Sequence, residues 1–186
     1  MGDVHPAGNP HIHLDPRNIA KIAEALSARL GQVDAGNAAF YGARAQDFQT
    51  RWKQAIARWE KDAASLKGAR VVPHHKDTVY LFHWLEMKEV INIEPKPGIP
   101  PSAGHLSELL AKLKSESVQA ITRGAYNDPK ASAWLSERSG IVVVELPYTV
   151  GGTPEAKDLF GLFDDSIARL NPSSRIRGVD RSQVVD

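Results

Sequence analysis

The sequence predicts an α/β fold in which a small parallel sheet of about four strands is flanked by helices and preceded by a long backbone helix. Short β-branched runs alternate with helical segments after Gly68, which is typical of parallel strands joined by crossover helices. Before Gly68, residues 34–66 contain no proline and place apolar side chains at helical spacing. This apolar stripe consists of Phe48, Trp52, Ala55, Ile56, Trp59, Ala63 and Leu66.

The 186 residues divide into four predicted parts. They are a loop with a first helix over 1–33, the long backbone helix over 34–67, an α/β lobe over 68–170 and a polar tail over 171–186. Asp15 and Pro16 predict where the first helix begins, because aspartate is a favoured N-cap and proline suits the first helical position. Gly31 predicts where that helix ends.

Within the α/β lobe, strands and helices are predicted in alternation. The predicted strands are 70–72, 90–93, 118–122 and 141–145. The predicted helices are 77–86, 103–115, 128–138 and 154–170. The last strand is a nearly continuous β-branched run, so it is expected to be covered on both faces. Asp164 and Asp165 on the last helix are expected to be solvated.

The composition excludes several classes of protein. The absence of cysteine excludes disulfides, cysteine-ligated zinc and thiol catalysis. A formal net charge of +1 argues against a nucleic-acid partner, which favours a basic surface. No apolar run approaches the ~20 residues of a membrane span. A bound metal therefore has to be held by nitrogen and oxygen donors.

The densest chemical feature is the segment GNPHIHLDP, in which His11 and His13 are two residues apart. In an extended segment, side chains at this spacing point to the same side. Neutral imidazoles arranged in this way suit zinc, copper or nickel. The alternative is that one or both histidines are polar loop residues.

A second pair, His74 and His75, follows the first predicted strand. Ligands of open α/β sheets bind beyond the carboxyl ends of the strands, and adjacent side chains point in different directions, so one of the two is expected to face a site. Glu145 ends the last predicted strand at the same edge and is a candidate oxygen ligand. The alternatives are a surface histidine pair and a glutamate that merely ends a strand.

These motifs together resemble the ZnuA/TroA-type solute-binding proteins of zinc and manganese ABC importers. GNPHIHLDP resembles the N-P-H-x-W-L-D-P segment of that family, which carries a metal-ligand histidine at the position of His11. The stretch HKDTVY resembles the H-D-A-F-G-Y turn, and Tyr80, five residues after His75, selects His75 over His74. EPKP, which begins at Glu94, resembles the E-P-S-P connector, and the long charged helix resembles the helix that joins two lobes in the family.

Three departures from the family pattern bear on the site. His13 replaces the usual tryptophan and adds a candidate nitrogen ligand. The fourth ligand of the family is usually an aspartate after the last strand, where this sequence has Glu145-Leu146-Pro147. The amino-terminal lobe, which supplies the first histidine ligand and the other wall of the cleft, has no counterpart here. The resemblance therefore predicts an incomplete receptor that binds zinc weakly and exposes an apolar surface where that lobe docks.

The resemblance implies a passive receptor rather than an enzyme. Such a receptor is a periplasmic or extracytoplasmic monomer that binds a divalent ion and delivers it to an ABC permease in the membrane. Members with a histidine as third ligand favour zinc, and those with glutamate there favour manganese, so His75 indicates zinc, with manganese as the alternative. The predicted ligands are His11 and His75, with Glu145 and His13 as further candidates.

Two other functions compete with this interpretation. A histidine pair followed by a later histidine also occurs in amidohydrolases, which are metal-dependent hydrolases. That fold needs a barrel of roughly 250 residues, and this chain has room for only about five strands. The other alternative is a metal-independent, adhesin-like module built on the same fold.

Overall fold

A computed structural model describes residues 8–172, and it confirms the predicted α/β fold. The strands are β1 (Arg70–Pro73), β2 (Lys88–Glu89), β3 (Ala120–Gly124) and β4 (Val143–Leu146). The helices are α1 (Pro16–Val33), α2 (Ala38–Asp62), α3 (Val79–Trp84), α4 (Ala103–Ser115), α5 (Lys130–Ser139) and α6 (Leu159–Leu170). Except for its first two residues, the predicted tail over 171–186 lies outside the described residues. None of the helices between residues 8 and 172 is long and apolar enough to cross a bilayer.

The sheet is parallel throughout and has the strand order β2-β1-β3-β4. The second strand begins at Lys88, two residues before the predicted start at residue 90, because Lys88 pairs with Arg70 and Glu89 with Val71. Backbone hydrogen bonds continue this pairing beyond β2. Ile93 N donates to Pro73 O at 2.9 Å, and Glu94 N donates to His74 O at 3.0 Å. The extension places Glu94 beside the histidine pair that follows β1.

The two amino-terminal helices differ from the prediction at their ends. Asp15 caps α1 as predicted, since its side chain accepts from Arg17 N at 2.9 Å. However, α1 continues through Gly31 to Val33. The single helix predicted over 34–66 is a 25-residue helix, α2, between two 3-10 turns (Ala35–Asn37 and Ala64–Leu66). The α1–α2 corner turns at Asp34, whose carboxylate accepts hydrogen bonds from Asn37 and Tyr41.

Two apolar cores cover the two faces of the sheet. Neighbouring strand residues point to opposite faces, so Val71 packs into one core and Val72 into the other. The larger core joins the sheet to α1, α2, α3 and α6 around Trp52, Trp59 and Phe163. The smaller core joins the sheet to α4 and α5, and its buried side chains are Val72, Ile93, Leu109, Leu113, Ile121 and Leu135.

The last helix begins later than predicted, and one of its acidic residues is buried. Gly151 N donates to Ala156 O at 2.7 Å in the preceding loop, and Asp158 then caps α6 at Gly161 N. The expectation that Asp165 is solvated is wrong, because its Oδ2 accepts from Thr153 Oγ1 at 2.6 Å and from Arg169 Nε at 2.7 Å. These bonds hold the β4–α6 loop against α6.

Several large apolar side chains along the α1–α2 hairpin are exposed. These side chains are Ile22, Leu26, Leu30, Val33 and Phe40, which are between 37% and 69% exposed. Side chains three or four positions apart share one face of a helix, so Ile22, Leu26 and Leu30 form a continuous stripe on α1.

Candidate metal centre

His11 is positioned by Asn9 in the loop before α1. Asn9 Oδ1 accepts from the backbone N of His11 at 2.9 Å and lies 2.7 Å from the ring atom Nδ1. The side-chain amide of Asn9 donates to Lys76 O at 2.7 Å, and Tyr80 Oη donates to Asn9 O at 3.1 Å. Asn9 therefore ties the histidine loop to the segment that links β1 to α3.

His75 is positioned by Glu94 at the carboxyl end of the sheet. The Nδ1 atom of His75 lies 2.7 Å from Glu94 Oε2, and the two side chains are only 12% and 13% exposed. Glu94 is brought there by the extended pairing of β2 with β1, which ends at the Glu94 N to His74 O bond. Parallel strands end at the same edge, so residues that follow neighbouring strands meet.

The hydrogen bonds assign the same tautomer to both histidines. Asn9 Oδ1 and Glu94 Oε2 are acceptors, so the Nδ1 atoms of His11 and His75 carry the proton and donate. The lone pair of each neutral ring is then on Nε2, the nitrogen that can bind a metal. The two ring centres are 6.1 Å apart at an interplanar angle of 82°. Two imidazoles on one tetrahedral zinc ion have ring centres about 5 Å apart, so the two rings have to approach by about 1 Å to share an ion.

The two histidines line a cleft of ≈ 660 Å³ at this edge of the sheet. Tyr126 and Tyr148 form an aromatic wall, with ring centres 5.4 Å apart, and Tyr148 also contacts the His11 ring at 5.5 Å. Tyr126 Oη donates to the buried carboxylate of Asp77 at 2.8 Å. Burial and the nearby Asp77 carboxylate raise the pKa of Tyr126, so its hydroxyl stays protonated.

The residues Ile12–Leu14 form a 3-10 turn, so the expectation of an extended H-x-H segment is wrong. The ring of His13 contacts Tyr148 at 5.3 Å, and its Nε2 lies 2.9 Å from the Tyr148 carbonyl oxygen. That oxygen is an acceptor, so Nε2 of His13 carries the proton. His13 thus joins the histidine loop to the loop after β4.

Glu145 lies beside Arg123 on the neighbouring strand, which is its partner in the β3–β4 register. Its carboxylate forms an ion pair with the Arg123 guanidinium, and its side chain is 37% exposed. His74 lies next to Glu94, and its Nε2 is 3.8 Å from Glu94 Oε1. Burial lowers the pKa of His74, and the nearby Glu94 opposes that shift.

Between residues 8 and 172, no three His, Asp or Glu side chains are grouped so that they could hold a metal ion together. The part of the site that the structure describes is therefore a pair of imidazoles supported by an amide and a carboxylate. Zinc takes about four ligands, so a zinc ion on these two imidazoles would need about two more.

Sequence reasoning missed the supporting roles of Asn9, Glu94 and Tyr148. Asn9 precedes His11 by two residues, a spacing at which asparagine commonly accepts from the backbone. Glu94 directly follows the strand predicted at 90–93, so the edge argument applied to His75 also predicts Glu94. Tyr148 carries no comparable signal, because its position depends on how the β4–α6 loop folds.

Comparison with known proteins identifies the family. Residues 2–171 match the family described as ZnuA, "Zinc-uptake complex component A periplasmic". The chain belongs to the ZnuA family. This family consists of metal-binding solute-binding proteins of ABC transporters, which are binding components and not enzymes. No curated protein matches the sequence.

Several solved structures share the fold. A crystal structure of ZnuA has a TM-score of 0.73 at 19% identity, over 91% of this chain and 61% of its own. The solute-binding protein FpvC of Pseudomonas aeruginosa, in complex with Mn²⁺, has a TM-score of 0.73 at 20% identity, over 92% of this chain and 65% of its own. The laminin-binding protein Lmb of Streptococcus agalactiae has a TM-score of 0.71 at 20% identity, over 92% of this chain and 68% of its own. Lmb is described as a bifunctional protein with adhesin and metal-transporting activity. The chain thus spans less than two thirds of the ZnuA and FpvC chains.

Proposed function

We propose that this chain is the metal-binding part of an ABC-importer receptor and that His11 and His75 are two ligands of its zinc ion. The observation that supports this proposal is the pair of ring centres 6.1 Å apart, each ring with its Nδ1 bonded to an acceptor. Metal-ligating histidines commonly donate their second nitrogen to a carboxylate or an amide oxygen in this way. The four-stranded sheet does not support the hydrolase alternative, whose barrel needs eight strands.

Zinc is the proposed cargo because both donors are imidazole nitrogens, whereas manganese prefers carboxylate and water oxygens. Glu145, the carboxylate expected from the sequence, is engaged by Arg123. The neighbour FpvC was solved with Mn²⁺ and also with Ni²⁺, so one protein of this fold holds more than one divalent ion, and titration with several ions is part of the test for this chain.

The remaining ligands come, in this proposal, from the region by which the relatives exceed this chain. The exposed stripe of Ile22, Leu26 and Leu30 on α1 is the proposed docking surface for that region. By itself, the 186-residue chain should then bind zinc weakly and as a monomer. Size-exclusion chromatography with light scattering, with and without zinc, measures the oligomeric state. A stable dimer would contradict this part of the proposal.

Isothermal titration calorimetry with zinc and with manganese tests the ligand assignment. We expect the His11→Ala and His75→Ala variants to lose at least about tenfold in zinc affinity, because each removes one of few donors. The exposed His83 on α3 supplies the control variant His83→Ala, which should bind zinc as the parent chain does. Unchanged zinc affinity in His75→Ala would overturn the assignment.

Delivery to a permease requires a separate measurement. We propose that the complete receptor acts in the periplasm or outside the membrane and stimulates the ATPase of its ABC transporter when zinc is bound. Reconstitution of that transporter in proteoliposomes, with the receptor outside, would measure stimulation by the zinc-loaded and zinc-free forms. Equal rates in both forms would contradict this role. Binding of the receptor to a cell-surface ligand that is the same with and without zinc would instead favour the metal-independent, adhesin-like alternative.

A further inference from the structure

Glu94 lies beside His75, and both its backbone and its carboxylate form hydrogen bonds there. Its N–H donates to His74 O at 3.0 Å, which continues the β1–β2 pairing. Its Oε2 accepts from His75 Nδ1 at 2.7 Å and from Gly98 N at 2.9 Å. Glu94 is therefore held by one backbone hydrogen bond and two hydrogen bonds to its nearly buried carboxylate.

We infer that Glu94 is a positioning residue that holds His75 in the Nδ1–H tautomer, with the lone pair on Nε2. This inference rests on the proposed role of His75 as a ligand. A neutral histidine in water favours the opposite tautomer, with the proton on Nε2, in which Nε2 has no lone pair for a metal. A carboxylate has no proton to donate, so the contact of Glu94 Oε2 with Nδ1 of His75 places the proton on Nδ1. The negative charge also makes Nε2 a stronger donor to a cation.

A purely structural role for Glu94 is the competing explanation. The bond from Gly98 N to Glu94 closes the loop after residue 94, and Gly98 has a φ of +74° that disfavours other residues. In that explanation Glu94 holds the loop together, and the tautomer of His75 does not depend on it. The two explanations differ in what happens to the His75 ring when the carboxylate is removed.

Two substitutions separate the negative charge of Glu94 from its role as a hydrogen-bond acceptor. In Glu94→Gln, an amide oxygen at the position of Oε2 still accepts from His75 and from Gly98, but the charge is lost. In Glu94→Ala, both the charge and the acceptor oxygen are lost. Glu137→Ala, on the exposed face of α5, removes a carboxylate far from the loop and serves as the matched control.

The decisive measurement uses the metal-free chain. Long-range ¹H–¹⁵N NMR of histidine rings at about pH 8.5, where an ordinary imidazole is neutral, reports which nitrogen is protonated. We expect His75 to be the Nδ1–H tautomer in the parent chain, in Glu94→Gln and in Glu137→Ala, and to shift toward Nε2–H in Glu94→Ala. An unchanged tautomer in a folded Glu94→Ala chain, with shifts confined to the loop around Gly98, would assign Glu94 the structural role only.

Zinc affinity provides a second readout. Loss of a carboxylate behind a ligand histidine typically lowers metal affinity about 10–100-fold, and we expect this loss in Glu94→Ala. The zinc affinity of Glu94→Gln should lie between those of Glu94→Ala and the parent chain, because Glu94→Gln keeps the tautomer of His75 but loses the charge. If the parent chain binds no zinc, the proposed function fails while the NMR result still decides the tautomer. Parent-like affinity in Glu94→Ala would contradict the inference.

Discussion

The imidazole rings of His11 and His75 meet edge to face with their centres 6.1 Å apart, although one precedes α1 and the other follows β1. The link between the two segments is Asn9, which holds His11 through Oδ1 and binds Lys76 O through its amide. The spacing of the two candidate ligands therefore depends on Asn9, a residue of the GNPHIHLDP segment that is not itself a candidate ligand.

Replacement of Asn9 by alanine should lower zinc affinity by about tenfold, because His11 loses the acceptor that orients its ring. Calorimetric zinc titration measures this change. Gln54→Ala, an exposed side-chain amide on α2, is the control and should bind zinc as the parent chain does. Parent-like affinity in Asn9→Ala would show that His11 keeps its geometry without this bond.

The variant His13→Ala should keep zinc affinity within about twofold and lose about 0.5–1.5 kcal/mol of folding free energy. The reason is that His13 Nε2 donates to the Tyr148 carbonyl, which is a neutral hydrogen bond between two loops. Urea denaturation and zinc titration of the same preparation measure both quantities. A loss of zinc affinity as large as that of His11→Ala would make His13 a ligand instead.

We expect Glu145→Ala to leave zinc affinity unchanged, because Arg123 occupies the Glu145 carboxylate. The pair is partly exposed, so its removal should cost about 1 kcal/mol or less. Arg123→Ala, which removes the other partner, is the companion variant. If Glu145→Ala weakens zinc binding and Arg123→Ala does not, Glu145 reaches the ion in the bound state.

The α2–α6 contact should depend strongly on Asp164. Its Oδ1 accepts from Trp59 Nε1 and from Arg58 Nη2, both at 2.6 Å, and the Trp59 side chain is buried. Asp164→Ala leaves the indole N–H without this acceptor and should cost about 1–3 kcal/mol in urea denaturation. Arg58→Ala removes the exposed ion pair and an exposed contact of the guanidinium with the Trp59 ring, 5.8 Å from its centre, and should cost about 1 kcal/mol or less. Equal costs would mean that the indole bond adds nothing.

Acid should weaken the α1–α2 corner through Asp34. Hydrogen bonds from Asn37 and Tyr41 hold the pKa of Asp34 below its usual value. The folded carboxyl therefore stays ionised to lower pH than the unfolded one, whose pKa is about 3.9. Its contribution to stability is present above about pH 4 and is lost as pH falls through the lowered folded value.

The Asp34→Asn variant should therefore show a smaller loss of stability than the parent chain over this acid range. Urea denaturation at a series of pH values from neutral to about 3 measures the difference. Asp128→Asn, in the exposed turn before α5, is the control. Identical pH profiles for Asp34→Asn and the parent chain would contradict the assignment.

The sequence by itself determined the fold class and the edge at which His75 lies. Alternating β-branched runs and helices can bury their apolar faces only as a covered parallel sheet, and parallel strands end at one edge. The same reasoning extends to Glu94, which follows the next strand. These features depend on local spacing along the chain, and local spacing can be read from residues.

Only the tertiary structure decided which side chains meet. Glu145 lies at the predicted edge, yet the β3–β4 register pairs it with Arg123, and register is set by contacts between distant segments. His11 precedes a 3-10 turn that contains His13, so the two residues do not form the extended segment in which their side chains point to the same side. The single helix predicted over 34–66 is α2 with a 3-10 turn at each end, and Asn37 and Tyr41 donate to the carboxylate of Asp34 at the corner before it. The pair of Glu145 with Arg123 joins side chains 22 residues apart on two strands, which only the folded chain brings together.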